Sequence, residues 1–444
     1  MKRHFLKTGL IVLSLGLVLP RGVDAAPLGR RAEMKNGLVL LVAERRTLPM
    51  VTLQVLVKAG SYEEPKDKAG LANLTAVLLP LGTDSRTALE ISEAIEFVGG
   101  DLSADASRNY STLSLTVLKK DLDLGLELLA DVLLHPAFRE AEIARKVREL
   151  KGHISQKQEN PGTVASEAFA AALFRDRPYG WPVEGTEESL DRITRKDLVD
   201  FHRHYYLPNN SIVAVAGDVG LEEFRGYMDK YLKGWTPAAV PVVNPGTPAP
   251  LAGREVIKID RGVTQANIVW GHLGIARKNP DYYAVSVMNF ILGGGGLTSR
   301  LMRAIREERG WAYDVHSYFS ARLVPGPFVV GLQTKNETAG PAIDEVLRQI
   351  QRIREEGVTP EELEEAIGYL TGSFPLRIDT NRDVVSFLAA IEFYGLGMDY
   401  PQRYPEIIRA VTREDVLRVA RKYLHPDQGI LVVVADLDKA KLPF

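Results

Sequence analysis

The segment TRKDLVDFHRHYYLPNNSIVAVAGD at residues 194–218 is repeated in outline by TREDVLRVARKYLHPDQGILVVVAD at residues 412–436. In each copy, a capping threonine and helical apolar spacing predict a helix, and the following Val/Ile/Ala run predicts a buried strand. The offset of 218 residues is about half of the chain, which indicates one duplicated domain and not a short-period solenoid. First-copy residues identical in the second copy are Thr194, Arg195, Asp197, Arg203, Tyr205, Pro208, Ile212, Val215 and Asp218.

The rest of each half predicts strands mixed with helices, without a regular strand–helix–strand alternation. In the first half we expect strands at 37–42, 51–57 and 110–118, and helices at 68–81, 87–98, 120–133, 139–158 and 163–174. This order favours an α+β fold with two duplicated domains, each a mixed, mostly antiparallel sheet with helices packed on one face.

The segment between Trp235 and Arg254 is rich in proline and poor in helix or strand patterns. Five of the 25 prolines lie there, at positions 237, 241, 245, 248 and 250. Such a segment is extended and stiff, which predicts a linker that holds two bodies at a set separation. We therefore expect domains at 26–235 and 254–444, joined by a linker at 236–253.

The first 25 residues have the pattern of a secretory signal peptide. A positive start at Lys2, Arg3 and Lys7 precedes the apolar stretch 9–19, and small residues end it at Ala25. The alternative, a membrane anchor, is disfavoured because about eleven apolar residues are too few to span a bilayer. The expected location is periplasmic or secreted, with no membrane anchor after cleavage.

Composition excludes several classes of function. The 55 Lys and Arg against 57 Asp and Glu give a net charge of −2, so no bulk charge attracts nucleic acid. The chain has no cysteine, which excludes disulfides, thiolate zinc sites, iron–sulfur clusters and a cysteine nucleophile.

The run GSYEEPKDKAGLANLTAVLLPLGTDSRT at 60–87 resembles the signature region of the pitrilysin/insulinase-type zinc peptidases, the inverzincins. In that family an H-x-x-E-H helix holds zinc with two histidines, and its glutamate activates the metal-bound water. The aligned residues here are Asn73, Ala76 and Val77. Ala76 cannot accept a proton and Val77 has no donor atom, so the resemblance implies a degenerate zinc site.

The family's third zinc ligand is a glutamate further along the chain, and Gly152 or His153 stands at that position here. An H-x-H at His202 and His204 offers no replacement, because residues two apart on a helix point to different faces. We interpret both as surface histidines of a helix. The resemblance therefore implies no metal in this chain.

The second half resembles a different element of the same family. Residues 291–318, ILGGGGLTSRLMRAIREERGWAYDVHSY, are similar to its glycine-rich loop followed by a helix and R-x-x-x-x-x-x-Y. The resemblance implies that Arg306 and Tyr313 donate hydrogen bonds to the substrate carbonyl and to the developing oxyanion. It also implies that Gly294 and Gly295 contact substrate. The segment is not a phosphate loop, because it lacks both the Gly-Lys-Ser/Thr ending and the G-x-G-x-x-G spacing.

Loss of the zinc set beside retention of Arg306 and Tyr313 is the pattern of a divided peptidase. In the short-chain branch of the family, a subunit carrying H-x-x-E-H pairs with a sister that lacks it. We therefore expect a non-catalytic subunit of a heterodimeric zinc peptidase acting on unfolded peptides, with zinc in the partner and no nucleic acid bound. The alternative is a non-enzymatic peptide-binding protein or a structural core subunit of an envelope complex.

Overall fold

The computed structural model describes residues 27–244, 246, 248–249 and 251–442; the signal peptide predicted at 1–25 lies outside the described residues. The strands are β1 Arg30–Glu33, β2 Val39–Glu44, β3 Met50–Val57, β4 Asp101–Ala106, β5 Ser111–Leu118, β6 Ser211–Gly217, β7 Arg254–Asp260, β8 Gln265–Leu273, β9 Ala312–Phe319, β10 Pro327–Lys335 and β11 Gly429–Ala435. The α-helices are α1 Leu71–Leu78, α2 Ala88–Phe97, α3 Leu122–Leu134, α4 Glu140–Gln158, α5 Pro161–Phe174, α6 Glu187–Leu190, α7 Arg195–Tyr205, α8 Leu221–Tyr231, α9 Tyr282–Asn289, α10 Ala339–Glu356, α11 Pro360–Gly372, α12 Asn381–Tyr394, α13 Tyr400–Arg409 and α14 Arg413–Tyr423.

The strands form two sheets of matching topology. The first has the order β1-β2-β6-β3-β5-β4 and the second β7-β11-β8-β10-β9. Each sheet contains one parallel pair, β2 with β6 and β7 with β11, and its other pairs are antiparallel. This confirms the predicted α+β class with two mixed, mostly antiparallel sheets.

The repeated segments form the same helix–strand unit in both sheets. Thr194 and Thr412 each cap a helix by accepting a hydrogen bond from the backbone of an aspartate three residues later. The strands that follow, β6 and β11, are buried along their whole length. Each lies between a parallel and an antiparallel neighbour and is covered on both faces, so apolar side chains are favoured at every position.

One helix of each half packs on the sheet of the other half. Helix α5 of the first half packs on β11 and β8 of the second sheet, and α12 of the second half packs on β6 and β3 of the first. The α5 contact is close: the ring of Phe169 would lie 2.9 Å from a Cβ placed on Gly271 of β8. The two halves that the linker joins are therefore in direct contact, and the role of the linker as a spacer stays a prediction. Each sheet presents a second apolar face, and the other half covers it.

The described residues between 236 and 253 belong to no helix or strand, as a linker requires. The domain boundaries at 235/236 and 253/254 stay a prediction. Over the part of the chain that the structure describes, no helix combines the length and the hydropathy needed to cross a membrane.

Candidate functional site

Helix α1, which corresponds to the zinc helix of the resemblance, begins at a buried carboxyl group. Glu64 Oε1 accepts hydrogen bonds from Gly70 N at 2.9 Å and Trp181 Nε1 at 3.2 Å, and its Oε2 accepts one from Ala72 N at 2.9 Å. Burial raises the pKa of Glu64 to about 8, and these three donors act against that rise. Glu64 therefore satisfies two of the free N–H groups at the start of α1. We did not single it out from the sequence, although α1 begins without a capping Ser, Thr or Asp.

The residues at the zinc positions of α1 are packed inward. Asn73 is 7% exposed and Ala76 is fully buried, while Val77 is half-buried. His153 lies on α4, which packs against α1, but its own side chain is exposed. Among the described residues no three His, Asp or Glu side chains are close enough together to hold a metal ion. The side chains at these positions do not supply the donors of a zinc site.

The H-x-H pair is not two surface histidines. His204 is exposed, as expected, but His202 turns inward and its Nε2 lies 2.8 Å from the carbonyl oxygen of Leu133. Burial lowers the pKa of His202 to about 4. The interpretation is wrong for His202 because α7 packs that face toward α3, where the imidazole stacks on Tyr206.

The glycine-rich segment continues α9 as a short π-helix at Phe290–Gly294, where the sequence predicted a loop. A Cβ on Gly293 would lie 2.5 Å from Ser317 Oγ and 2.7 Å from Ser317 N, so only glycine allows β9 to approach this closely. Asn289 fixes the same contact, because its Nδ2 donates to Ser317 O and its Oδ1 accepts from Ser317 Oγ. Gly294 is exposed and Gly295 half-buried at the outer end of the segment. Their assignment to substrate binding stays a prediction.

The structure brings Arg306 and Tyr313 into contact. Arg306 lies on a second π-helix, Met302–Glu307, and its Cζ is 4.6 Å from the centre of the Tyr313 ring. Such a cation–π contact fixes the guanidinium while leaving its N–H groups free to donate. The two predicted residues are thus one pre-arranged pair.

A β-bulge sets the direction of Tyr313. Leu332 pairs with Val315 and Thr334 with Ala312, so two residues of β9 stand opposite one residue of β10. The extra residue turns Tyr313 outward beside Asp314, and Tyr313 is 81% exposed. Bulges of this kind re-aim a side chain, and here the side chain of Tyr313 lies in solvent.

Strand β9 is also the outermost strand of the second sheet. One side of its backbone is therefore unpaired within the sheet. On that side Val315 N donates to Met302 Sδ and Ser317 O accepts from Asn289 Nδ2, so the free part of the edge lies at the start of the strand. His316 and Tyr318 follow Tyr313 along the exposed face of β9. In contrast, α1 packs with β4, α4 and α7 of the first half, so the two predicted sites occupy different halves of the chain.

These features define a class of protein, a two-sheet α+β chain with a metallopeptidase-like scaffold. The profile described as insulinase (peptidase family M16) matches residues 39–187, and the one described as peptidase M16 inactive domain matches residues 192–370. The chain belongs to this family. With Asn73, Ala76 and Val77 in place of the H-x-x-E-H residues, it is an inactive homologue within it.

Relatives and solved structures match this chain over nearly its whole length. An uncharacterized zinc protease of Mycobacterium leprae is 31% identical, covering 93% of both chains, and one of Streptomyces coelicolor is 29% identical, covering 93% of this chain and 91% of the relative. The crystal structure of a peptidase M16 inactive domain from Pseudomonas fluorescens superposes with a TM-score of 0.85 at 29% identity, covering 92% of this chain and 98% of that one. A protease from Helicobacter pylori, at 21% identity and the same TM-score, covers 92% of this chain and 99% of its own and shares the fold.

Proposed function

We propose that this chain is the non-catalytic subunit of a heterodimeric zinc peptidase. The observation that carries the proposal is the Arg306–Tyr313 pair: the two side chains are in contact, Arg306 is half-buried and Tyr313 is exposed, while α1 has lost every zinc donor. A pair of hydrogen-bond donors without a metal site in the same chain can still act in catalysis if a second chain supplies the metal. The partner is a sister subunit carrying H-x-x-E-H, and zinc is held there.

In this arrangement Arg306 and Tyr313 act on the peptide that the partner cleaves. The guanidinium donates to a substrate carbonyl and the phenol donates to the oxygen on which negative charge develops. Neither group removes a proton at neutral pH, so both remain donors throughout the reaction. One pre-placed oxyanion donor is typically worth about 10²–10³ in rate.

The peptide is bound in an extended form at the start of β9, beside Tyr313. Further along this edge, Val315 N already donates to Met302 Sδ and Ser317 O already accepts from Asn289 Nδ2, so these groups do not pair with it. Backbone hydrogen bonds to an edge strand give affinity that depends little on side chains, which suits an enzyme for unfolded peptides. Tyr313 and Arg306 stand at the start of this strand, where they can meet one carbonyl of the added chain. The signal-peptide pattern at residues 1–25 supports periplasmic or secreted action.

The test is reconstitution with the H-x-x-E-H sister subunit and a quenched fluorescent peptide. We expect the pair to cleave peptides and each chain alone to be inactive. Tyr313→Phe and Arg306→Ala should each lower kcat/KM by about 10²-fold, because each removes one donor. Two matched controls are Arg303→Ala, an exposed arginine on the same π-helix, and Tyr369→Phe, an exposed tyrosine whose ring centre lies 4.9 Å from that of Phe290.

Unchanged activity in both Arg306→Ala and Tyr313→Phe complexes would refute the role of the pair. If the complex forms but the variants behave like the two controls, the alternative of a structural core or peptide-binding subunit is favoured. Gel filtration of each variant with the sister subunit separates loss of assembly from loss of turnover.

A further inference from the structure

A cavity of about 640 Å³ lies where the first sheet meets helix α12 of the second half. Its volume is within the range of roughly 300–1,000 Å³ that small-molecule sites have. One wall comes from the loop after β2 and the adjoining ends of β3 and β5, and the other from residues 379–382 at the start of α12. Neither Arg306 nor Tyr313 lines it, so the cavity is distinct from the site of the proposed function.

The first half supplies apolar surface to this cavity. Leu48 and Met50 line it, and the side chain of Leu48 is 58% exposed there. The Thr116 hydroxyl donates to the Thr52 hydroxyl at 3.3 Å, so these two lining side chains are already hydrogen-bonded to each other. Because exposed apolar surface is unfavourable in water, a ligand with an apolar body is stabilised by covering it.

One cation in the wall has no partner. Arg45 directly follows β2 and is half-buried, and its Nη1 is buried without a hydrogen-bond partner among the described residues. No carboxylate oxygen of the residues that the structure describes lies within 4.0 Å of its guanidinium. Its neighbour Arg46 differs, because Arg46 Nε lies 2.7 Å from Glu44 Oε1. A half-buried guanidinium without a counter-charge favours an anionic partner.

The other charges of the wall are solvent-exposed. Arg382 Nη2 lies 3.8 Å from Asp101 Oδ2, and both side chains of this pair are exposed. Asp379, the acid of the lining, is exposed as well. Water and salt screen exposed charges, so these groups favour a ligand of one sign less strongly than Arg45 does.

Several hydroxyl groups of the wall are already used within the protein. Thr380 Oγ1 donates to Asp383 Oδ2 at 2.6 Å and accepts from Asp383 N at 3.1 Å. Together with Thr52 and Thr116, three hydroxyls of the lining are thus hydrogen-bonded within the chain. A ligand with several amide groups would lose hydrogen bonds to water here, whereas an acyl chain has none to lose.

We propose that this cavity binds a carboxylate with an unbranched apolar chain, a ligand of the class of medium-chain fatty acids. The carboxylate pairs with the guanidinium of Arg45 through charge-assisted hydrogen bonds, and the chain covers Leu48 and Met50. Since the walls come from both halves, the ligand contacts the first sheet and the start of α12 at once. Its binding therefore stabilises the folded chain. This site does not depend on the proposed function.

The test is isothermal titration calorimetry of the full chain with hexanoate, octanoate, octanamide and N-acetyl-leucine. Octanoate should bind about tenfold more tightly than octanamide, because the amide lacks the charge-assisted bond to Arg45. It should bind about 15-fold more tightly than hexanoate, since each buried CH₂ contributes about fourfold. N-acetyl-leucine, whose apolar part is shorter, should bind at least about tenfold more weakly than octanoate.

Three variants assign the charge recognition. Arg45→Gln should bind octanoate only as weakly as octanamide, whereas the matched control Arg46→Gln, at the neighbouring arginine paired with Glu44, should behave like the wild type. Asp379→Asn should bind octanoate about two- to threefold more tightly, because an exposed negative charge is removed from the cavity wall. Octanoate should raise the Tm of the wild type and not that of Arg45→Gln.

The outcomes that overturn the inference are distinct. Octanoate binding that Arg45→Gln leaves unchanged, or that Arg46→Gln weakens equally, refutes the pairing with Arg45. Equal affinities for hexanoate and octanoate refute the apolar contact, and tighter binding of N-acetyl-leucine refutes the acyl chain in favour of a peptide end. If Arg45→Gln does not fold, weaker octanoate binding by Asp379→Asn refutes the anion site. Peptide cleavage with the sister subunit tests the proposed function separately, so either can fail alone.

Discussion

Cutting the linker should not separate the two halves. The perturbation is a specific protease site inserted between Val242 and Val243, in a segment without helix or strand where Val242 is 92% exposed. Cleavage leaves α5 on the first fragment and α12 on the second, so each fragment still carries the helix that covers the other's sheet. The two fragments remain bound if this exchange outweighs the cost of association.

The magnitude follows from what the exchanged helices bury. Seven large apolar side chains on α5 and α12 are at most 4% exposed: Phe169, Leu173, Phe174, Val384, Val385, Leu388 and Ile391. At about 1.5–3 kcal/mol for each, their burial contributes up to roughly 10–20 kcal/mol. Association of two fragments costs about 4–15 kcal/mol in lost freedom and ordering. The balance favours a stable complex.

The assay is gel filtration of the cut protein under native conditions, followed by urea unfolding. We expect one species of the full mass and one cooperative transition. Phe169→Ala should cost about 3–5 kcal/mol and release the fragments at a lower urea concentration. Elution as two separate folded fragments, or two independent transitions in the uncut chain, would refute the interlocked arrangement.

Two further predictions concern pH and the glycine-rich segment. Burial acts to raise the pKa of Asp281, but its hydrogen bonds hold it well below the usual range; the donors are Lys422, Tyr423 and Arg418 of α14. This stabilisation is present above the unfolded pKa of about 3.9 and is lost as pH falls through the lower folded pKa. Asp281→Asn should therefore lower the free energy of unfolding by about 1–2 kcal/mol at pH 7, a modest amount because the two cationic donors are half exposed. Near pH 2 the loss should be much smaller. Equal losses at the two pH values, measured by urea unfolding, would contradict this. Gly293→Ala should lower the free energy of unfolding by about 1–3 kcal/mol, because the new Cβ would meet the backbone of Ser317. The control Gly152→Ala, at an exposed position of α4, should not lower it. Equal Tm values for the two variants would contradict the close contact.

Local patterns in the sequence were sufficient for much of the fold. The capping threonines and apolar runs at 194–218 and 412–436 predicted α7 with β6 and α14 with β11, because helix starts and buried strands depend on nearby residues. Strand β4 was missed, since its sequence DLSADA alternates small and polar residues and lies at a sheet edge. The π-helix at Phe290–Gly294 was predicted as a loop for a related reason: Gly293 permits a close approach of β9 there, and the local sequence does not encode that approach.

The candidate site was likewise predictable only in part from the sequence. Absence of the zinc donors is a matter of residue identity, so Asn73, Ala76 and Val77 settled it in the sequence. Arg306 and Tyr313 were singled out only by resemblance, and their contact with each other was not predicted. The direction of Tyr313 depends on a bulge that requires the pairing of β9 with β10.

The sequence by itself determined the duplication, the α+β class and the missing zinc donors, because each follows from residue types at fixed spacing. Only the tertiary structure decided that α5 and α12 each pack on the sheet of the other half. It also decided that Arg108 and Arg322, 214 positions apart, both lie near the ring of Tyr179. The physical reason is that covering the second apolar face of a sheet depends on surface shared between distant segments. No local pattern carries that information.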